Sequence, residues 1–164
     1  MIRRAEPHEM TTLAEIYHSS WCHAFSKHFP PENLAQVTLR DFEDRWRAYF
    51  LKKNVVSFVY EHEQNPIGFV VSNIEKNAAS EILSIMVLPA AIRSGVGGKL
   101  MEKTLTYMQE NDCNFATLWV VSENFDARRF YEHFGFHATE DKRFIQRYGI
   151  ELCQLRYQKQ IAGF

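Results

Sequence analysis

Residues Ser80 to Met101 constrain the fold of this chain most tightly: Ser-Glu-Ile-Leu-Ser-Ile-Met-Val-Leu-Pro-Ala-Ala-Ile-Arg-Ser-Gly-Val-Gly-Gly-Lys-Leu-Met. A β-rich apolar run stops at Pro89, and the turn Arg93-Ser94-Gly95-Val96-Gly97-Gly98 opens a helix with Leu100, Met101, Thr104, Leu105 and Met108 on its inner face. Asn111-Asp112 ends that helix, and Phe115 to Val121 reads as the next strand. Strand, helix and strand in this order form a right-handed crossover at the centre of a mixed α/β sheet. A helix start without bulky side chains also lets backbone N–H groups approach a phosphate, where the helix dipole favours negative charge. The segment therefore implies a phosphorylated ligand beside a strand able to carry chemistry.

The flanking sequence supplies the other layers. Ile2 to Glu6 can form a short strand, and Leu13, Ile16, Tyr17, Ser20, Trp21, Ala24 and Phe25 recur at the spacing of a buried helix face. Pro30-Pro31 ends that helix. Thr38-Leu-Arg-Asp41 reads as a capping box before a second amphipathic helix bearing Leu39, Phe42, Trp46, Tyr49 and Phe50. Val55–Glu61 and Ile67–Ile74 read as a hairpin joined by Gln64-Asn65-Pro66, and His137–Ile145 with Glu151–Tyr157 as another around Tyr148-Gly149. The element order is β-α-α-β-β-β-α-β-α-β-β. With 164 residues and no repeat or linker, one domain over 1–164 is expected.

Charge and cysteine usage narrow the function classes. A net charge of −1 gives no electrostatic case for a nucleic-acid or membrane-surface partner. The longest uncharged apolar run, Ile82 to Ile92, is too short to span a bilayer and is broken by Pro89. The polar start Met-Ile-Arg-Arg lacks a signal-peptide pattern, and Cys22, Cys113 and Cys153 form no CxxC pair. A reduced, cytoplasmic protein is the expectation. His18 and Cys22 stand four apart with His23 and His28 nearby, but no second cluster completes a metal shell, so no metal is expected.

Three readings compete for the glycines. A Walker loop needs GK followed by Ser or Thr, but Gly98-Lys99 is followed by Leu100. A dinucleotide fingerprint needs a further glycine where Leu100 stands. The third reading is a tight turn that binds nothing. A second segment decides between them: Asn124 at a strand end, then Ala127, Phe130 and Tyr131 on a helix stopped by Gly135-Phe136. With Val87-Leu88-Pro89 and Gly95-Val96-Gly97, these residues resemble the two motifs of the GNAT superfamily of acyl-coenzyme A N-acyltransferases. The resemblance extends over almost the whole chain. It implies an α/β fold with a mixed, mostly antiparallel sheet flanked by helices, and acetyl-CoA as co-substrate. It departs from the family at Ile92, which stands where a Gln or Arg is usual, with Arg93 directly after it.

By that resemblance the chain transfers an acetyl group to a primary-amine acceptor by direct attack in a ternary complex. A non-catalytic acyl-CoA sensor is the alternative. An amine with a pKa of about 10.4 must lose a proton before it attacks a thioester. The resemblance implies Glu81, the one carboxylate in its strand, as the base acting through water, since a glutamate at the matching place serves so in the histone-acetyltransferase branch of the family; apolar neighbours would make it a better proton acceptor. Strand alternation predicts Glu81, Leu83, Ile85 and Val87 on one face. The backbone at Ile85 to Val87 would hold the pantetheine arm, with an N–H of Met86 or Val87 polarising the thioester carbonyl. Gly95 to Gly98 would hold the diphosphate, with Arg93 or Ser94 contributing, and Asn124 would contact pantetheine amides. Tyr131 is the candidate acid: a phenol stays protonated at neutral pH and can donate to a leaving thiolate, although the residue also lies on a packing face. Trp21, Phe25, Phe29 and Trp46 read mainly as core, with one or two facing the acceptor. A homodimer through the C-terminal strands is a further expectation from the family. The acceptor is left open among polyamines, antibiotics, amino acids and peptide amines.

Overall fold

The computed structural model describes residues 1–162; Gly163 and Phe164, at the end of the expected domain, lie outside the described residues. The strands are β1 (Ile2–Arg4), β2 (Val55–His62), β3 (Asn65–Asn73), β4 (Ala79–Val87), β5 (Phe115–Val121), β6 (His137–Arg147) and β7 (Ile150–Gln160). The helices are α1 (Met10–Phe25), the short α2 (Pro31–Leu34), α3 (Leu39–Leu51), α4 (Val96–Glu110) and α5 (Phe125–His133). One sheet runs in the order β1-β2-β3-β4-β5-β7-β6, and β4 with β5 is its parallel pair.

Each face of the sheet buries one apolar layer. Leu13 and Tyr17 of α1 and Phe42 and Trp46 of α3 pack on Phe69 and Val71 of β3. Leu100, Met101 and Met108 of α4 pack on Val70, Leu118 and Tyr157 from the opposite face. The capping box of α3 is made as its sequence predicts: the Asp41 N–H donates to the Thr38 hydroxyl, and the Thr38 N–H donates to the Asp41 carboxylate at 2.9 Å. No described helix is long and apolar enough to cross a membrane.

The β2–β3 turn differs from the sequence reading by two positions. Glu63 and Gln64 make it with φ of 49° and 67°, while Asn65 and Pro66 already belong to β3. Pro66 is tolerated because it sits near the strand start, opposite Glu61, where the β2–β3 register shifts. The β6–β7 turn falls on Tyr148 and Gly149 as expected. Its tip is tied down from three sides. Asn33 Nδ2 donates to the Tyr148 carbonyl (2.8 Å), the Tyr148 hydroxyl donates to Asp41 (3.1 Å), and the Tyr148 ring lies 5.5 Å from Trp21.

The centre of the sheet divides. β4 and β5 pair over Ala79/Phe115, Ser80/Ala116 and Glu81/Thr117. Beyond that point β4 stays with β3 through Val87, and β5 stays with β7 through Val121. A bulge in β4 immediately follows the last β4–β5 pair: Ser72 faces Ile82 but Val71 faces Ser84, so Leu83 is the extra residue. Bulges bend the strand that carries them, and this one turns β4 away from β5. It also breaks the predicted alternation. Glu81, Ser84 and Met86 face α1, whereas Ile82, Ile85 and Val87 lie on the α4 face, because each shares a face with its partner on β3.

An ion cluster fixes the first strand. Arg3 donates to both carboxylate oxygens of Glu9 (2.6 and 2.9 Å) and to Glu61 (2.7 Å). The Arg3 hydrogen bonds hold the Glu9 carboxyl below the usual carboxylate range. A lowered folded value means that this stabilisation is complete above the ordinary glutamate range and is lost as pH falls through the folded value. Glu9→Gln should therefore cost about 1.5–3 kcal/mol at neutral pH. Urea denaturation of both proteins should show the difference narrowing below the ordinary glutamate range. A constant difference would assign the loss to packing instead.

Candidate active site

The glycine turn exposes a row of donors. Gly95 precedes α4 with φ 85°, nothing lies within 4 Å of where its Cβ would be, and no side chain caps the helix. The N–H groups of Gly95, Val96, Gly97 and Gly98 meet no acceptor among the described residues. Consecutive donors at a helix start suit a diphosphate. Ser94 braces the turn: its hydroxyl donates to the Ala91 carbonyl at 2.5 Å. Arg93, with φ 64°, and Ile92 are both exposed. Gly97 and Gly98 have a setting that the sequence reading did not include. A Cβ on Gly97 would lie 3.5 Å from Phe130, and one on Gly98 3.5 Å from Phe134, so both glycines face the aromatic side chains of α5 and its C-terminal cap at ordinary contact distance.

A cavity of about 390 Å³ occupies the division between β4 and β5. Backbone groups of β4 are turned towards it. Leu88 N–H donates to the Ile67 carbonyl, so Leu88/Ile67 and Met86/Phe69 are the bonded pairs of this ladder. Val87 and Ile85 must then point their N–H and C=O groups away from β3, into the gap. Of the two amides expected near the thioester, the ladder commits that of Met86 and leaves that of Val87. The Val87 carbonyl accepts from the Ser20 hydroxyl at 2.9 Å, which pins α1 to the same point.

Glu81, Met86, Val87, Asn124 and Tyr131 all line this one cavity. The Glu81 carboxylate is half-buried and has no hydrogen bond or ion pair among the described residues. Asn124 caps α5, its Oδ1 accepting from the Ala127 N–H at 3.2 Å, which leaves its Nδ2 unpartnered among the described residues. Tyr131 is held by rings at 5.5 Å (Phe130) and 6.1 Å (Phe136). Burial, and then the neighbouring Tyr17, push its phenol above the ordinary tyrosine value, so it remains protonated. The α5 turn that aims it closes with bonds from Gly135 N–H to Glu132 and Phe136 N–H to Tyr131, both onto carbonyls.

Other residues enter that sequence reading missed. Ser84 lines the cavity with a buried hydroxyl that has no partner among the described residues. Tyr17 accepts from Arg45 at 2.9 Å, and Arg143 and Arg147 complete the far wall. The alternation of Arg143, Ile145 and Arg147 along β6 signals a common face, but only the fold shows what that face meets. Of the four aromatics, Trp21 and Phe25 line the cavity, whereas Phe29 and Trp46 are buried in the core. His18 Nε2 lies 3.3 Å from the Val37 carbonyl. Among the described residues no group of three or more His, Cys, Asp or Glu could hold a metal ion.

A donor-lined helix start opening into a split mixed sheet is the architecture of an acyltransferase. A family model described as "Acetyltransferase (GNAT) family" matches residues 12–136. An uncharacterized N-acetyltransferase of Archaeoglobus fulgidus is 31% identical over 148 residues, 87% of this chain and 92% of that protein. The chain belongs to the GNAT acetyltransferase family. Among solved structures, the fold is shared by the PaiA N-acetyltransferase of Thermoplasma acidophilum in complex with coenzyme A (TM-score 0.83, 16% identity, 98% of each chain). It is shared too by the ribosomal-protein-S18-alanine N-acetyltransferase of Escherichia coli (TM-score 0.79, 16% identity, 100% of this chain and 95% of that one).

The seating of α4 yields a test. Gly68 of β3 lies beneath the first turn of α4, where a Cβ would come within 3.0 Å of the Met86 carbonyl oxygen and 3.1 Å of Val96. Backbone cannot yield as a side chain end can, so Gly68→Ala should cost about 1–3 kcal/mol. A denaturation midpoint equal to that of the parent protein would show that α4 shifts without penalty.

Proposed function

We propose that the protein is an N-acetyltransferase that moves an acetyl group from acetyl-CoA to a primary amine by direct attack while both are bound. The observation that carries this reading is convergence: Glu81, Val87, Asn124 and Tyr131 line one cavity in the division of the sheet, and Ile92, which leads into the turn with free amides at residues 95–98, lines it too. A diphosphate at the α4 start would leave the pantetheine arm to run along β4 as an added, partial strand. Coenzyme A in complex with a protein of the same fold is consistent with that path. Ile92 offers no side-chain donor where the family usually has Gln or Arg, so the phosphate grip rests on backbone amides.

The roles follow from the charge changes of the reaction. Glu81, on the α1 side and free of partners, takes the amine proton through water. The Val87 N–H, facing the gap, stabilises the carbonyl oxyanion; a preorganised donor of this kind contributes about 2.7–4 kcal/mol. Tyr131, kept protonated, donates to the departing thiolate. Asn124 Nδ2 is free to reach a pantetheine carbonyl.

Two measurements test this reading. Release of free thiol from acetyl-CoA across a panel of primary amines should reveal turnover, whereas coenzyme A binding without turnover on any amine would favour the sensor reading. Tyr131→Phe should lower kcat by about 100-fold with coenzyme A affinity nearly intact. Unchanged turnover would remove Tyr131 from the mechanism.

A further inference from the structure

One wall of the cavity is cationic. Three arginines line the cavity, Arg45 from α3 with Arg143 and Arg147 from β6, against a single carboxylate, Glu81. None of the three forms an ion pair within 4.0 Å among the described residues, although Arg3, Arg47 and Arg129 elsewhere do. Arg45 is half-buried, donates to the Tyr17 hydroxyl, and has the Tyr17 ring 5.3 Å from its guanidinium carbon. Arg143 lies 4.3 Å over the Trp119 ring and is steadied by one bond, Nε to Gln154 Oε1 at 2.7 Å. Its two terminal nitrogens have no partner among the described residues.

Register places this charge beside the reacting centre. Glu81 pairs with Thr117, two residues before Trp119 on the same face, and Trp119 pairs with Arg156 of β7. Arg143 pairs with Gln154, which pairs in turn with Val121. Directly paired residues share a face, so Glu81 and Arg143 look into the same side of the gap. Arg143 and Arg147 are exposed; partial desolvation of Arg143 lowers its guanidinium from the ordinary value, with Arg147 and Arg156 acting in the same direction and Glu81 against them. A guanidinium stacked on an indole, held by one bond and crowded by its own kind, is arranged to accept a two-oxygen anion.

Resting on the acetyltransfer reading, we infer that the acceptor is a primary amine carrying a carboxylate a few bonds from its nitrogen. Arg143 forks the carboxylate, Arg45 and Arg147 supply the surrounding positive field, and the amine turns to Glu81. The same field has two further effects. It disfavours the ammonium form of the acceptor, which helps the amine reach its reactive neutral state. It also repels polyamines and other polycations, whose second charge would be pressed against three arginines.

Matched acceptors test the inference. Free amino acids are compared with the amines left when the carboxylate is replaced by hydrogen, and peptides starting with Asp or Glu with those starting with Asn or Gln. The kcat/KM with acetyl-CoA should favour the carboxylated member of at least one set by about 10- to 100-fold. The set that discriminates identifies the source as a free amino acid or an acidic peptide. In Arg143→Gln that ratio should fall towards one, chiefly through KM, with Arg143→Lys intermediate. Thermal shift confirms folding of both variants and separately reads acceptor binding to the coenzyme A complex. Carboxylate-selective binding without turnover would sink the transferase reading and leave the substrate class standing. Turnover preferring carboxylate-free amines or polyamines would overturn the substrate class alone. So would binding of neither kind, or an Arg143→Gln defect in coenzyme A affinity with acceptor preference unchanged.

Discussion

The short contact between β4 and β5 governs most of what this molecule can do. Three residue pairs hold the two strands together, and past Glu81 and Thr117 each keeps only its outer neighbour. Strand edges inside a protein cannot leave N–H and C=O groups without partners at no cost. Some of that demand is met locally, as where Ser20 donates to the Val87 carbonyl. The rest gives the gap its chemistry: it is a slot whose walls hydrogen-bond like a strand, so an extended ligand with amides along its length satisfies it. The bulge at Leu83 makes the slot and at the same time turns Met86 to one face and Val87 to the other.

Much of this was legible in the residues. The Thr38–Asp41 cap, the Tyr148-Gly149 turn, the strand Phe115–Val121 and the Gly135 stop all fall where short-range chemistry puts them, because turns and caps are decided within a few residues. Asn124 and Tyr131 were found through a motif, and the fold brings both to the cavity with Glu81. The bulge was not legible. Nothing within Glu81–Val87 requires an extra residue; it appears only when β4 is laid against β3. The same holds for Gly68, an ordinary strand glycine until α4 is packed on it. Arg45 reads as a solvated charge on an amphipathic helix until the Tyr17 hydroxyl and the far hairpin close over it.

The α4 start and the arginine wall of the cavity present positive potential by different means. At the α4 start the positive potential comes from backbone amides, which have fixed orientation, need no side-chain ordering, and suit the diphosphate on the proposed reading. On the arginine wall it comes from guanidinium groups, which must be held in place to be selective. Stacking does this for Arg143, and a phenol does it for Arg45. Backbone donors recognise a ligand that relatives hold in common, whereas side chains on β6 can change without disturbing the sheet.

On the proposed reading, the cavity must keep one group neutral and donating while another becomes neutral and attacks. Tyr131 meets the first need through burial and the nearby Tyr17, which oppose formation of a phenolate. On the inferred acceptor class, the cavity arginines meet the second by opposing an ammonium. The two demands conflict only if the positive field reaches the phenol strongly enough to favour its anion. Tyr17 links them: it accepts from Arg45 and itself opposes a Tyr131 phenolate, while Arg143 is steadied by Trp119 and Gln154. Aromatic groups therefore do more than fill space here, because Trp119 and Tyr17 hold the cationic wall in place and Phe130 and Phe136 hold Tyr131.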